Sequence, residues 1–119
     1  IQCALTYPER ARQQPAPPLD LAARGALTFS EVDTERFPVL PVVLEAGRRG
    51  DSSAAALSGA DEAAVEHFLA GNCRFTDIAR LLEQALDVHE ADATPDLERL
   101  LAAEAWGRRF VDERVAAGL

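Results

Sequence analysis

From Phe37 onward, apolar residues recur at helical spacing; before it they do not. Val39, Leu40, Val43 and Leu44 follow the i, i+1, i+4, i+5 spacing of one buried helical face, with Pro38 or Pro41 in the first turn, where a missing N–H costs little. Gly47 to Gly50 supplies a stop. Asp51, Ser52 or Ser53 then caps a short helical stretch through Leu57, and Ser58-Gly59 interrupts it. A longer helix is expected from about Asp61 to Ala70, with Val65, Phe68 and Leu69 on its inner face and a left-handed exit at Gly71-Asn72.

The next helix has the clearest pattern: Ile78, Leu81, Leu82, Ala85, Leu86 and His89 mark one stripe. Thr76 is its expected N-cap, Asp77 complements the helix dipole, and Phe75 staples onto the first turn. Thr94-Pro95-Asp96 reads as another start, with Leu97, Leu100 and Leu101 as the inner face. Trp106, Phe110, Val111 and Val115 continue that pattern after a break near Ala103. The fold class predicted is all-α, a small helical bundle of about four helices over 37–119, preceded by an extended connecting arm over 1–36. In that arm, Ile1 to Tyr7 reads as a helix tail stopped by Pro8, and Gln13 to Pro18 as a linker. Leu19, Leu21, Leu27 and Phe29 follow without helical period, Leu27 to Phe29 being a candidate strand without a partner. These apolar residues call for something to pack on, the bundle or a second chain.

Composition agrees with the pattern. Hydrophobic residues make up 48% and aromatic ones only 6%, so Ala, Leu and Val carry the packing, and the first two are strong helix formers. A formal net charge of -8 disfavours nucleic acid and anionic membrane surfaces as partners, since phosphates are held by clustered cations. Arg48-Arg49 and Arg108-Arg109 read as solvated helix faces. No apolar run has the length of a membrane span and no signal peptide is seen, which sets a cytoplasmic location as the expectation. All 12 basic residues are Arg, a bias associated with GC-rich bacterial genomes, and the absence of Met fits a processed chain, a cleaved tag or a fragment.

Little of this carries chemistry. Cys3 and Cys73 lie far apart, in no CxxC, and read as ordinary reduced thiols. His89-Glu90 is half of an HExxH motif without its second His, and stabilisation of a helix C-terminus by the imidazolium is the better account of His89. His67 beside Glu66 has no metal-ligand spacing. Asp61, Glu62 and Glu66 place carboxylates within two turns. A hard cation can use the Glu62–Glu66 pair, but acidic residues also collect at helix N-termini for dipole reasons, and that reading is the stronger. Ser58 lacks the GxSxG elbow, and no phosphate-binding glycine loop occurs. No catalytic, cofactor-binding or metal-binding residue is assigned.

The order of residues says more. Phe37-Pro38-Val39-Leu40 with Leu44-Glu45-Ala46, then Ala63 to Gly71, then Arg74-Phe75-Thr76-Asp77-Ile78, resembles the C-terminal region of the 1-deoxy-D-xylulose 5-phosphate reductoisomerases. Upstream, Leu5-Thr6-Tyr7-Pro8, Pro18-Leu19-Asp20-Leu21 and Leu27-Thr28-Phe29 are similar to the preceding connecting segment. The resemblance implies an NADPH- and divalent-metal-dependent enzyme of non-mevalonate isoprenoid biosynthesis, forming 2-C-methyl-D-erythritol 4-phosphate. It further implies that the nucleotide and metal regions lie N-terminal to this one, so neither NADPH nor metal is expected to bind this chain. The partner it implies is the remainder of the parent enzyme or a second copy of this chain. Leu57-Ser58-Gly59-Ala60-Asp61-Glu62 departs from the usual Leu-Asn-Ala-Ala-Asn-Glu at both Asn positions. That departure motivates an alternative: a stand-alone, diverged helical domain used for binding or assembly.

Overall fold

The computed structural model describes residues 1–9, 17 and 19–119. Among them are six helices and no strand: α1 (Gln2–Leu5), α2 (Leu21–Arg24), α3 (Val39–Arg49), α4 (Ser53–Leu69), α5 (Phe75–Val88) and α6 (Leu97–Ala116). The chain forms two compact units, Ile1–Glu31 and Val32–Leu119.

In the first unit, α1 ends before Pro8 as its sequence requires. The expected Gln13–Pro18 linker lies outside the described residues apart from Pro17. Leu27 to Phe29 is not a strand. The arm is instead interrupted by α2, a single turn that the apolar pattern did not predict: the Asp20 carboxylate accepts the Ala23 N–H at 3.0 Å, and Gly25 ends the turn at positive φ. Leu19, Leu21, Leu27 and Phe29 are all solvent-exposed.

The second unit is an up-down-up arrangement of α4, α5 and α6 with α3 laid against α4 and α5. Leu81, Leu82, Ala85 and Leu86 of α5 form the centre, with Ile78 beside them, as their spacing predicts. Burying each Leu contributes about 2 kcal/mol. Ala46, Leu57, Ala60, Ala63, Ala64 and Val111 complete the core, and Trp106, Phe110 and Val115 pack against it.

Several helix limits differ from those expected. The contact face of α3 is Val39, Val42 and Ala46, whereas Val43 and Leu44 are exposed. The helix passes through Gly47 and stops at Gly50, which adopts the left-handed conformation with φ 67°. Ser58-Gly59 does not interrupt α4. It is one continuous helix whose buried stripe is Ala56, Ala60, Ala63 and Ala64, while Val65, Phe68 and Leu69 lie at the surface. The physical reason is close approach to α6. A Cβ on Gly59 would sit 2.0 Å from the Glu104 carbonyl oxygen, and one on Gly107 would sit 2.0 Å from that of Ala56. Glycine here brings two helix backbones together, and its usual cost to the helix is offset by packing. Ala103 likewise faces inward without breaking α6, and the buried positions are Ala103, Gly107 and Val111. Leu97 and Leu101 are exposed, so the large-residue face expected for this helix is not its inner face.

The caps also shift. Asp96, not Thr94, caps α6, its carboxylate accepting the Arg99 N–H at 2.9 Å. Arg74, not Thr76, is the N-cap of α5. Phe75 is therefore the first helical residue rather than a staple, and its ring meets Phe68 edge-on at 5.6 Å. Gly71 provides the exit from α4 at φ 78°, as expected.

Candidate functional site

The residues with chemical potential fall into three groups on the second unit. The first is the α4–α6 surface. Arg108 reaches Glu62 Oε2 at 2.7 Å and both Glu66 carboxylate oxygens at 2.8 Å. One helical face does hold both carboxylates, but a guanidinium fork is seated between them, which is the geometry Arg favours over a point cation. Beyond it, His67 Nε2 lies 2.9 Å from Asp112 Oδ1, and its Nδ1 is 3.1 Å from the Asn72 amide nitrogen. Asp61 and Ser58 instead border the groove between α3 and α4, with Val39, Val43 and Leu57. The candidates Ser58, Asp61, Glu62, Glu66 and His67 thus share a helix but not a site. Among the described residues, no group of three or more His, Cys, Asp or Glu side chains is placed to hold a metal ion.

The second group surrounds Asp77, a buried residue with 3% exposure. The backbone N–H of Arg74 donates to Asp77 Oδ2 at 2.9 Å, closing the start of α5. The guanidinium groups of Arg74 and Arg80 add bonds at 3.1 to 3.2 Å. The Arg74 side chain, then its N–H, holds the Asp77 carboxyl below the usual carboxylate range against the opposing effect of burial. The run Arg74-Phe75-Thr76-Asp77-Ile78 is therefore a cap with a structural job.

The third group was missed in the sequence except as a cap. Ser52, 2% exposed, gives no side-chain cap to α4; its hydroxyl lies 2.9 Å from His89 Nε2 and accepts the Asp92 N–H at 2.9 Å. No local signal marks such a cluster, because its members are 37 and 40 residues apart. His89 does sit at the α5 C-cap, as expected, and its ring nitrogen Nε2 meets the Ser52 hydroxyl. Burial pushes its pKa down, with Arg49 acting the same way and Asp51 opposing, so the neutral ring is favoured. The ring leans on Trp106 at 4.7 Å. Both cysteines are free: Cys3 is exposed, and burial raises the half-buried Cys73 thiol. An apolar hollow of about 380 Å³ between Phe37, Pro38, Val39, Phe75 and Ile78 completes the surface.

Hydrogen-bonded carboxylates, a capped core helix and an apolar hollow are the parts of a helical packing domain. The family model described as DXP reductoisomerase C-terminal domain matches residues 1–110. The 1-deoxy-D-xylulose 5-phosphate reductoisomerase of Moorella thermoacetica is 52% identical over 119 residues, covering 100% of this chain and 30% of that protein. The enzyme of Heliobacterium modesticaldum is 47% identical over 99% of this chain and 30% of its own length. A crystal structure of DOX-P reductoisomerase in complex with magnesium matches with a TM-score of 0.79 and 34% identity, over 98% of this chain and 31% of that one. The chain belongs to the DXP reductoisomerase C-terminal domain family. It spans about 30% of the length of the relatives it matches.

Proposed function

We propose that this chain is the non-catalytic, helical support domain of an enzyme that isomerises and reduces 1-deoxy-D-xylulose 5-phosphate with NADPH, in non-mevalonate isoprenoid biosynthesis. The observation that carries the reading is the match over nearly the whole chain to about 30% of reductoisomerases. In this reading, residues 1–36 are the connecting arm, 37–119 the bundle domain, and the partner is the remainder of the enzyme. A bacterial, cytoplasmic setting is part of the proposal. The bacterial relatives support it.

The cofactors of such an enzyme do not fit the residues here. Glu62 and Glu66 are engaged by Arg108, and the Gly47–Gly50 stretch is a helix end carrying two Arg rather than a phosphate cradle. Magnesium is a property of the matched crystal structure. Ser58 to Asp61, which departs from the family's usual run at both Asn positions, folds into uninterrupted α4 with Gly59 against Glu104.

Mixing the 119-residue chain with 1-deoxy-D-xylulose 5-phosphate, NADPH and Mg²⁺ is expected to give no NADPH oxidation above the protein-free rate. Turnover that follows the concentration of this chain would overturn the non-catalytic reading.

A further inference from the structure

Ser52 lies in the turn between α3 and α4, and Asp92 in the loop between α5 and α6. The Ser52 N–H donates to the Asp92 carbonyl at 3.1 Å, and the Asp92 N–H donates back to Ser52 Oγ at 2.9 Å. These two bonds clip the turn to the loop. A hydroxyl has one proton to give and two lone pairs. Asp92 uses one lone pair, and the remaining contact is His89 Nε2 at 2.9 Å.

The protonation state of His89 decides what that contact is. A neutral ring with its proton on Nδ1 accepts the Ser52 O–H, and every group in the clip is matched. An imidazolium carries protons on both nitrogens, so Nε2 must donate to Ser52 Oγ. The Ser52 proton then loses its acceptor inside a site that is almost closed to water, which is the costly half of a broken hydrogen bond.

The surroundings act on this balance from each side. Arg49 and Asp51 face the ring from the end of α3 and the following turn, Arg49 disfavouring the charge and Asp51 favouring it. Glu90 and Asp92 lie on the loop beside it, and Arg99 and Arg109 on α6. Asp92 is engaged by Arg99, which leaves it a poor counter-ion for His89. Trp106, stacked on Phe110 at 5.4 Å, supplies the apolar wall.

We propose that protonation of His89 releases the Ser52–Asp92 clip, freeing the α5–α6 loop from the α3–α4 turn while the α4–α6 crossing stays closed. Gly59 and Gly107 hold that crossing by backbone approach, which requires no titrating group. The sign follows from burial. The imidazole value is lowered from its usual 6.5, so the clip is fully present above that pH and is lost as pH falls through the lower folded value.

The chain offers its own reporter, since Trp106 is its single tryptophan and touches the ring. Trp106 emission and residue-resolved amide exchange should be followed from neutral pH to about pH 5, with exchange corrected for intrinsic rates. The expected result is an emission transition with its midpoint below 6.5. Across it, protection at the Ser52 and Asp92 amides should fall by about tenfold or more, while Ala60 and Val111 stay protected. His89→Gln offers an acceptor that does not titrate and should abolish both changes. If that variant fails to fold, Ser52→Ala serves: it keeps the ring, so the emission transition should persist while the Asp92 amide loses its pH dependence. Unchanged protection at Ser52 and Asp92 through the transition would overturn the proposal. So would a transition that survives in a folded His89→Gln.

Discussion

Gly107→Ala should unfold much of this domain's stability, by roughly 3 kcal/mol or more and a drop in Tm of roughly 12 °C or more. Alanine is the better helix former by about 1 kcal/mol, so propensity alone predicts a gain. Packing decides the sign. The new Cβ would lie 2.0 Å from the Ala56 carbonyl oxygen and 2.8 Å from the Ala60 nitrogen, whereas ordinary contact begins at 3.4 Å. Those atoms are helix backbone and cannot rotate away, so α4 and α6 must separate. Separation would then loosen the contacts of Ala60, Ala103 and Val111 along the same seam. Gly59→Ala meets Glu104 in the same way and should behave alike. Gly47→Ala is the control: it is also helical, nothing lies within 4 Å of the added carbon, and it should stabilise by about 0.5–1 kcal/mol. Thermal unfolding of the three variants checks the argument, and a destabilising Gly47→Ala beside a neutral Gly107→Ala would show the helix seam to be misassigned.

Leu82→Ala should cost about 3 kcal/mol, and Leu101→Ala less than about 0.5 kcal/mol. Both are leucines in helices, and both sit on faces that an apolar pattern marks as inner. Leu82 is 1% exposed and belongs to the buried cluster that also holds Ala46, Leu57 and Val111, so its loss removes transfer energy and leaves a cavity among Ala and Leu side chains that cannot collapse fully. Leu101 is 57% exposed, so little is removed from water and no cavity is made. Chemical denaturation with a common m-value gives the comparison directly. Equal losses at the two positions would mean that Leu101 is buried in the folded chain.

The same helices differ in how readable their sequences are. The α5 helix was legible because its buried residues are large, regularly spaced and set against charged neighbours: Leu81, Leu82 and Leu86 alternate with Asp77, Arg80, Glu83 and Asp87. The faces of α4 and α6 were not, because their contact is made by the smallest side chains. Ala56, Gly59, Ala60 and Gly107 carry almost no hydrophobic signal, yet their size lets the backbones meet. The larger Val65, Phe68, Leu97 and Leu101 carry that signal instead, and they lie at the surface. Gly59 and Ala103 suggested breaks for the same reason, since a small residue marks flexibility in isolation and close approach in a pair. Asp77 was legible as a dipole residue, though not as an acceptor gripped by Arg74 and Arg80. The Ser52–His89–Asp92 clip left no trace, being assembled by two loops. Family membership was legible from the order of motifs.

In the proposed role, this chain supports a reductoisomerase without contributing its chemistry, and exchange of the domain tests that role. The corresponding C-terminal region of the 52%-identical relative is replaced by this chain, and NADPH oxidation with 1-deoxy-D-xylulose 5-phosphate is measured beside the parent and a version lacking the region. The chimera is expected to be folded and active, and the truncated enzyme inactive. A truncated enzyme as active as the parent, or a folded chimera without turnover, would contradict that role.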